Sequence, residues 1–303
     1  MSRFLETLKE VSRSQEISPS VPGNGESEEK KPGGTVNLPV VDLPEVAGPA
    51  ISVEKPAAEP RRDELPPLVA PRQNPFGNKN VHLRPDRKIP LMPNTVDHTI
   101  VEQYRKLRTK IQQQHATKPI RSLLIASPGP NEGKTITVMN LALSFAMLPD
   151  FKVLLIDGDL RKGTVAKWLG TESLPGLSNL IDGSAQAEDV VFQSEEFPLC
   201  FTVAGTSDRP SAELLTSPLL PAFIRRMTQQ FDLVLVDSPP VNLLSDAQML
   251  ANSCDAILLV ARAFSTTSKA FQKTLQELAS FRVVGTVLNG GMRARNYQHY
   301  YGY

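Results

Sequence analysis

The chain has 303 residues, of which 40% are hydrophobic and 21% are charged, a balance typical of soluble globular proteins. Its 33 basic and 32 acidic residues leave a formal charge of +1, which gives no support for a polyanion partner such as DNA. Neither an apolar run of the ~18–20 residues that a membrane span requires nor a signal peptide is recognisable, so we expect a cytoplasmic protein.

Residues 1–17 are predicted to contain a short amphipathic helix. The segment "MSRFLETLKEVSRSQE" places four apolar side chains on one helical face: Phe4, Leu5, Leu8 and Val11. A helix this short is marginal on its own. Two interpretations therefore stay open: it docks on a partner or a membrane surface, or it is a partly formed helix without a function.

Residues 18–93 are predicted to be a disordered linker. Of the 26 prolines in the chain, 15 lie in the first 93 residues, and stretches such as "PGNGESEEKKPGG" add glycine, serine and charge. This composition buries too little apolar surface to offset the entropy of an ordered chain.

From residue 94 to residue 290, strand and helix patterns alternate. The region begins with a helical pattern, "TIVEQYRKLRTKIQ", and contains six short apolar runs: "SLLIAS", "KVLLIDGD", "CFTVAG", "FDLVLVDS", "DAILLVA" and "VVGTVLN". Nearly all-apolar runs are typical of parallel strands buried on both faces, with crossover helices covering the sheet. The sequence predicts one α/β domain with a doubly wound, mainly parallel sheet.

A phosphate-binding turn follows the first of these strands. In "SLLIASPGPNEGKTITVMNLALSFA" the turn ends in Gly133-Lys134-Thr135 and a helical pattern follows. In a P-loop, backbone N–H groups hold the phosphates, the lysine reaches the β- and γ-phosphates, and the hydroxyl binds Mg²⁺. The general motif has glycine where this chain has Pro128, while Asn131 tolerates left-handed backbone. ATP and Mg²⁺ are the expected cofactors.

Carboxylates follow two other strands. Asp157 and Asp159 end "VLLIDGD", and Asp237 ends "FDLVLVD". Ligands of open parallel sheets bind beyond the carboxyl ends of the strands, so we expect these side chains near the P-loop, as Mg²⁺ ligands and a proton acceptor. A lone aspartate at such a position is often a helix cap or a turn residue. Two carboxylates placed two residues apart are unfavourable unless a cation shares them.

Together these motifs resemble the bacterial tyrosine kinases (BY-kinases), which build a tyrosine kinase on a P-loop NTPase fold. Over residues 94–303, "SPGPNEGKT" is similar to the family's phosphate motif, with Asn131 in place of its usual glycine, and "DGDLR" to its D-x-D-x-R motif. "LVDSPP" followed by Asp246 is similar to its second acidic strand, and "GLSNLIDG", "SAELLTS" and "VLNGG" to its intervening segments. The resemblance implies an ATP- and Mg²⁺-dependent protein-tyrosine autokinase.

The resemblance also implies the residues of the site, with Asp157 as acceptor of the phenol proton and Asp237 on the metal directly or through water. The implied catalytic residues are Lys134, Asp157, Asp159, Arg161 and Asp237. The implied nucleotide-binding residues are Ser127, Gly129, Asn131, Glu132, Gly133, Lys134, Thr135, Ile136 and Asn289. The implied Mg²⁺ ligands are Thr135, Asp159 and Asp237.

Residues 291–303 form a tyrosine-rich tail. Four of the five tyrosines of the chain lie in its last seven residues: Tyr297, Tyr300, Tyr301 and Tyr303. No aliphatic side chain lies among them, so packing is a poor explanation and the phenols themselves are the expected substrates. The resemblance implies that they are autophosphorylation sites.

Three charged residues near the start of the domain allow two interpretations. Glu102, Arg105 and Arg108 lie away from the apolar stripe of their helix, and spacing alone favours a solvated flank with one intrahelical ion pair. The resemblance instead implies the E-x-x-R-x-x-R helix through which these kinases form rings. A neighbour's tail would then reach the site.

The resemblance extends to the cellular setting. It implies a role in capsule or exopolysaccharide synthesis and export, with a separate transmembrane activator that brings the kinase to the inner face of the plasma membrane. Exogenous protein substrates are also expected, whereas a nucleic-acid partner is not.

Two other functions are considered. A partitioning or division-site ATPase would carry a signature lysine five positions before Lys134, where this chain has Gly129. A non-catalytic, nucleotide-gated assembly module of an export complex is suggested only by Asn131 and by the turn with Pro128 and Pro130. Cys200 and Cys254 are expected to be buried reduced thiols, and the four histidines show no zinc-ligand spacing.

Overall fold

The computed structural model describes residues 79–84 and 98–291, with only the backbone of residues 98 and 99. All of these belong to one of the two units of the chain, Leu65–Tyr303. The predicted N-terminal helix, most of the predicted linker and the tyrosine-rich tail lie outside the described residues.

Strands and helices alternate along the described chain. The strands are β1 (Asn80–Val81), β2 (Ser122–Ala126), β3 (Val153–Asp157), β4 (Phe192–Ser194), β5 (Cys200–Thr202), β6 (Leu233–Asp237), β7 (Ala256–Arg262) and β8 (Val283–Asn289). The helices are α1 (His98–Thr117), α2 (Lys134–Ala146), α3 (Thr164–Leu169), α4 (Leu177–Ile181), α5 (Ala187–Val190), α6 (Ser211–Leu214), α7 (Leu219–Gln230), α8 (Asp246–Ala251) and α9 (Ser268–Glu277). Among the helices of these residues, none combines the length and the hydropathy of a membrane span.

The strands form one sheet in the order β1-β4-β5-β3-β6-β2-β7-β8. Neighbouring strands pair in parallel except β4 and β5, which are antiparallel. The predicted doubly wound, mainly parallel sheet is therefore confirmed. The carboxyl ends of the parallel strands meet at one edge of the sheet, where the predicted site residues follow β2, β3 and β6.

The central strands are apolar throughout because both of their faces are covered. Leu123 and Ile125 of β2 lie in one hydrophobic core with α1, α2 and α3, whereas Leu124 and Ala126 lie in a second core with α4 and α7. Successive side chains of a strand point to opposite faces, so a strand between two helical layers has no polar face.

Helix α1 covers one face of the sheet with its apolar stripe. Ile111 is buried, and Val101, Tyr104 and Leu107 pack against the same core. The pKa of the Tyr104 hydroxyl is raised by burial, against side-chain hydrogen bonds with Thr137 and Asn140 that lower it. Tyr104, the one tyrosine outside the tail, is thus part of the packing between α1 and α2.

Two strands differ from the predicted pattern. Strand β4 was not predicted because its three residues are too few to show a period. Strand β1 lies within the predicted linker, so that prediction is wrong for residues 79–84. There, β1 pairs with β4, Leu83 is 3% exposed, and the Arg84 N–H donates to the Leu169 carbonyl over 3.0 Å.

Candidate active site

The P-loop joins β2 to α2 at the carboxyl edge of the sheet. Its first carbonyls pair with the segment after β6: the N–H of Val241 donates to Ser127 over 2.9 Å and that of Asn242 to Pro128 over 3.2 Å. The hydroxyl of Ser127 donates to the Gly129 carbonyl over 2.7 Å. Ser127 thus shapes the loop from within.

Two residues of the loop have left-handed backbone. Asn131 has a φ of 60° and Gly133 a φ of 94°. Asparagine tolerates this conformation, which explains why it can stand where the family usually has glycine. A Cβ at Gly133 would lie 1.9 Å from Nδ2 of Asn289, so no other residue fits without moving Asn289.

Groups from β7 and β8 hold the outer side of the loop. Arg262 donates from a guanidinium nitrogen to the Asn131 carbonyl over 2.9 Å, and Asn289 donates from Nδ2 to the Glu132 carbonyl over 3.0 Å. Thr266 donates from its hydroxyl to Oε1 of Glu132 over 2.7 Å. Asn289, which is predicted to contact the nucleotide, therefore also supports the P-loop through its side-chain amide.

The residues that follow the loop meet the end of β6. Lys134 is 7% exposed, and Thr135 donates from its hydroxyl to Oδ2 of Asp237 over 2.6 Å. Ile136 is half-buried and packs against the core shared with α1. The structure therefore brings Lys134, Thr135 and Asp237 together, as the motif predicts.

The register of the sheet places the acidic motifs side by side. Asp157 of β3 pairs with Asp237 of β6, and the Gly158 N–H donates to the Asp237 carbonyl over 3.0 Å. A Cβ at Gly158 would lie 2.5 Å from that carbonyl oxygen, so this close approach requires glycine. Asp159, two residues beyond β3, is 6% exposed.

The carboxylate of Asp157 is bound to backbone on both sides. Its Oδ1 accepts from the Asp159 N–H over 3.1 Å, and its Oδ2 accepts from the Val165 N–H at the start of α3 over 3.0 Å. Asp157 therefore makes the contact of a helix cap, since it accepts an N–H group at the start of α3. It shapes the turn that carries Asp159.

Burial controls the charge of the cluster. It raises the pKa of Asp237 to about 6, although Lys134 and the hydrogen bond from Thr135 lower it. The pKa of Asp157 is raised well above its ordinary value, by burial first and then by repulsion from Asp237. A positive charge placed among these carboxylates would relieve the repulsion.

The residues at this edge fit a magnesium ion. Oδ1 of Asp159 and Oδ1 of Asp237 are buried and have no hydrogen-bond partner within the described part of the chain. Together with the hydroxyl of Thr135 they form a set of hard oxygen donors, which is what Mg²⁺ prefers.

Arg161 is held by a buried carboxylate that follows β6. Its Nε donates to Oδ2 of Asp246 over 2.9 Å and a terminal nitrogen donates to Oδ1 over 3.3 Å, so the pair is bidentate. The hydroxyl of Ser211 also donates to Asp246, over 3.3 Å. Sequence reasoning quoted the segment "SAELLTS", which begins with Ser211, but gave Ser211 no role. It missed Arg262 and Thr266, because no motif marks them.

The three charged residues of α1 do not act alike. Glu102 and Arg105 form an exposed ion pair of 3.8 Å along the helix. Arg108 does not lie on a solvated flank, as spacing alone predicts. It is half-buried and donates to the Ser144 carbonyl of α2, which fixes it against the domain. Exposed pairs of this kind contribute little to stability. A role of Glu102, Arg105 and Arg108 in contacts between subunits stays a prediction.

Two cysteines and one histidine–carboxylate cluster are not part of the site described above. Cys200 is buried and Cys254 half-buried, both thiols are free, and burial raises the pKa of Cys200 to about 12. His82, Glu195 and Glu196 bring three ligand atoms within 4.8 Å of one another near β1. All three are exposed, and an exposed histidine–carboxylate pair is common without a metal.

No family model matches this chain. The tyrosine-protein kinase YwqD of Bacillus subtilis (strain 168) is 34% identical to it over 204 residues, which make up 66% of this chain and 86% of the relative. The tyrosine-protein kinase ptk of Acinetobacter johnsonii is 30% identical over 235 residues, 76% of this chain but only 32% of that relative.

A solved structure with the same architecture is the kinase domain of the Escherichia coli tyrosine kinase ETK. It superposes with a TM-score of 0.60 at 29% identity, covering 67% of this chain and 80% of that domain. The similarity thus extends over the P-loop domain in both sequence and fold.

Proposed function

We propose that this chain, which belongs to the bacterial tyrosine kinase family and is a tyrosine-protein kinase, phosphorylates its own C-terminal tyrosines with Mg-ATP. The observation that carries the proposal is the meeting of Lys134, Thr135 and Asp237 at a P-loop. The proposed acceptors are the tail tyrosines: Tyr297, Tyr300, Tyr301 and Tyr303.

The nucleotide would be held by charge and by backbone dipoles. The N–H groups of the loop and the start of α2 bind phosphate oxygens, and the ammonium of Lys134 neutralises the β- and γ-phosphates. Thr135, Asp159 and Asp237 would hold Mg²⁺, which offsets the negative charge of the transferring group when bound. Phosphoryl transfer depends mainly on such positioning and charge stabilisation.

A tyrosine hydroxyl must lose its proton during transfer, and its ordinary pKa near 10 calls for a base or a polarising cation. We assign this role to Asp157, following the family resemblance. Its raised pKa makes it a stronger base than an exposed carboxylate. Its two oxygens accept one N–H group each, from Asp159 and Val165, so each oxygen keeps a lone pair that can take up a proton.

The assembly and setting of the kinase are proposed from the same family resemblance. Ring-like homo-oligomers formed through Glu102, Arg105 and Arg108 would present the tail of one subunit to the site of the next. A separate transmembrane activator would bring the kinase to the inner face of the plasma membrane, where its phosphorylation state regulates exopolysaccharide or capsule synthesis and export. Exogenous protein substrates stay part of this proposal.

The two other functions lack support at the site. Gly129 stands where a partitioning ATPase would have its signature lysine. The non-catalytic alternative is suggested by Asn131 and by the turn with Pro128 and Pro130. That turn still joins β2 to α2, as in a P-loop.

A mixing experiment tests both the activity and its direction. Lys134→Met keeps the tail but removes the phosphate-binding ammonium, and a variant with all four tail tyrosines changed to Phe keeps the site but has no tail substrate. Incubated together with Mg-ATP and a candidate activator, they should phosphorylate the tail of the Lys134→Met protein. Detection with a phosphotyrosine antibody and mass spectrometry locates the phosphate.

The controls are each variant alone and the parent chain, all incubated with Mg-ATP and the candidate activator. Neither variant alone should gain tail phosphotyrosine, whereas the parent should. A parent chain that stays unmodified under all of these conditions would contradict the proposed function. A labelled parent with an unlabelled mixture would contradict only transfer between subunits.

A further inference from the structure

Residues 262–267, which comprise the last residue of β7 and the turn to α9, contact the P-loop from outside the nucleotide site. We propose that Arg262 and Thr266 are positioning residues, which hold the backbone of Asn131 and Glu132 in the phosphate-binding conformation before nucleotide arrives. The inference rests on the proposed nucleotide binding by this loop and adds the residues that prepare it.

Arg262 stabilises the left-handed residue of the loop. Its guanidinium donates to the carbonyl of Asn131, whose φ is 60°. Asparagine tolerates this conformation but does not require it, so a hydrogen bond to its carbonyl favours this conformation of the loop over others. The contact joins residues 131 positions apart in the chain, so it is a tertiary restraint on the loop.

Thr266 anchors the next residue through a buried carboxylate. Glu132 is 5% exposed, its Oε1 accepts from the Thr266 hydroxyl over 2.7 Å, and its Oε2 has no partner within the described residues. The Thr266 oxygen itself accepts from the Arg262 N–H over 2.8 Å, which directs the hydroxyl proton toward Glu132. The two positioning residues therefore form one unit.

The direction of the held carbonyls explains how this unit serves phosphate binding. In a planar trans peptide, the carbonyl of one residue and the N–H of the next point in opposite directions. Arg262 and Asn289 hold the carbonyls of Asn131 and Glu132 on the outer side. The N–H groups of Glu132 and Gly133 consequently point to the other side, where a loop of this kind receives phosphate.

A loop ordered in advance binds more tightly because less conformational entropy is lost when the ligand arrives. The ordering should affect ADP and ATP alike, since both carry the β-phosphate that P-loop N–H groups hold. Loss of a positioning residue should therefore raise the KM for ATP and the Kd for ADP together while leaving kcat nearly unchanged.

The test uses the full chain with Thr266→Val, which removes the hydroxyl at similar volume, and Arg262→Gln. Thr266→Ser keeps the hydroxyl and is the rescue variant. Hydrogen exchange of the amides of residues 129–135 is followed without nucleotide, and Mg-ADP affinity is measured by calorimetry. We expect faster exchange and about tenfold weaker binding in the first two variants, the effect of one hydrogen bond to a charged group.

Two control substitutions repeat the chemistry of Thr266→Val and Arg262→Gln at side chains that do not contact the P-loop. Thr267→Val removes the neighbouring N-cap, whose hydroxyl accepts from the Ala270 N–H over 3.2 Å. Arg282→Gln removes an arginine that donates to the Lys118 carbonyl, ahead of β2 at the opposite edge of the sheet. Both should keep Mg-ADP affinity and loop exchange within about twofold of the parent chain.

The positioning role is supported if Thr266→Ser binds Mg-ADP as the parent does while Thr266→Val does not. It is overturned if Thr266→Val and Arg262→Gln bind like the parent, or if Thr267→Val weakens binding as much as they do. Neither measurement requires tail phosphorylation, so failure of the proposed autokinase activity would be seen separately.

Discussion

At the end of β6, the carboxylate of Asp237 is fully buried and accepts one hydrogen bond from Thr135, while its second oxygen has no partner within the described residues. Burial raises its pKa to about 6 even though the Lys134 ammonium lowers it. Ionisation of Asp237, which a metal ligand requires, is therefore less favourable in the folded protein without metal than in the unfolded chain. Functional sites often contain groups, such as this buried carboxylate, that activity requires but that lower the stability of the fold.

We predict that Asp237→Asn stabilises the metal-free protein and abolishes its activity. The folded pKa lies above the ordinary value of 3.8, so the folded state binds more protons than the unfolded chain between pH ~4 and ~6, and the parent loses stability as pH rises through that window. Without this carboxylate, the variant should be more stable than the parent by about 1–3 kcal/mol at pH 7, a difference that fades near pH 4. Urea unfolding in chelator at several pH values measures it, and autophosphorylation should fall at least ~100-fold.

Asp246→Asn is the contrasting variant. It weakens the bidentate acceptor of Arg161, so it should lower the free energy of unfolding at pH 7. If Asp237→Asn proved less stable than the parent in chelator, burial of its charge would not be the unfavourable contribution described above.

At the scale of elements, the sequence predicts those parts that repeat a pattern over several residues. The five-residue strands β2, β3 and β6 and the P-loop between β2 and α2 fall in this class, since burial on both faces leaves an unbroken apolar run. Strand β1 has two residues, and its pairing depends on β4 more than 100 positions away, so no local pattern reveals it. Contacts such as Thr266 to Glu132, 134 positions apart, are hidden for the same reason.

The roles of individual acids were only partly predictable. Composition and spacing place Asp157 and Asp159 at the carboxyl edge, and the register of β3 with β6 confirms that they lie near Asp237. Which oxygen accepts a backbone N–H and which has no partner depends on the turn after β3. That turn is determined by the close approach of Gly158 to β6, which a sequence does not display.

Strand β1 is an element whose contribution can be measured by one substitution. Leu83 follows it at 3% exposure, and its N–H donates to both carboxylate oxygens of Glu196 over 3.0 Å. Leu83→Ala should lower the free energy of unfolding by about 2–4 kcal/mol, because a buried leucine is truncated and the cavity closes only in part. Denaturant unfolding measures the loss, and hydrogen exchange should increase in residues 79–84.

Asn80→Ala is the matched control on the same strand. Asn80 is exposed, so its truncation should change stability by no more than ~0.5 kcal/mol. Equal stability of Leu83→Ala and the parent would mean that residues 79–84 add nothing to the domain, contrary to their burial.

At the scale of the whole molecule, the described chain ends beside the candidate active site. β8 ends at Asn289, whose side chain holds the Glu132 carbonyl of the P-loop. Tyr297 follows Asn289 by eight positions, and eight extended residues reach at most roughly 28 Å. The described chain therefore ends at the edge of the sheet where phosphoryl transfer is proposed. If the proposed ring forms, a subunit's own site and that of its neighbour would compete for the same phenols.

Phosphorylation of this segment should disperse the proposed ring. Each phosphotyrosine carries about −1.5 to −2 charges near pH 7, so several within the last seven residues create strong repulsion among themselves and toward Asp157, Asp159 and Asp237. Light scattering after size-exclusion chromatography should show a smaller mass once Mg-ATP has acted, and return of the larger mass after phosphatase treatment. The variant with four Phe substitutions in the tail should keep its mass throughout.

Because the repulsion between phosphotyrosines and carboxylates is screened by salt, the shift in mass should be largest at low ionic strength. A phosphorylated protein that keeps the mass of the unmodified one at low salt would show that tail charge does not control assembly.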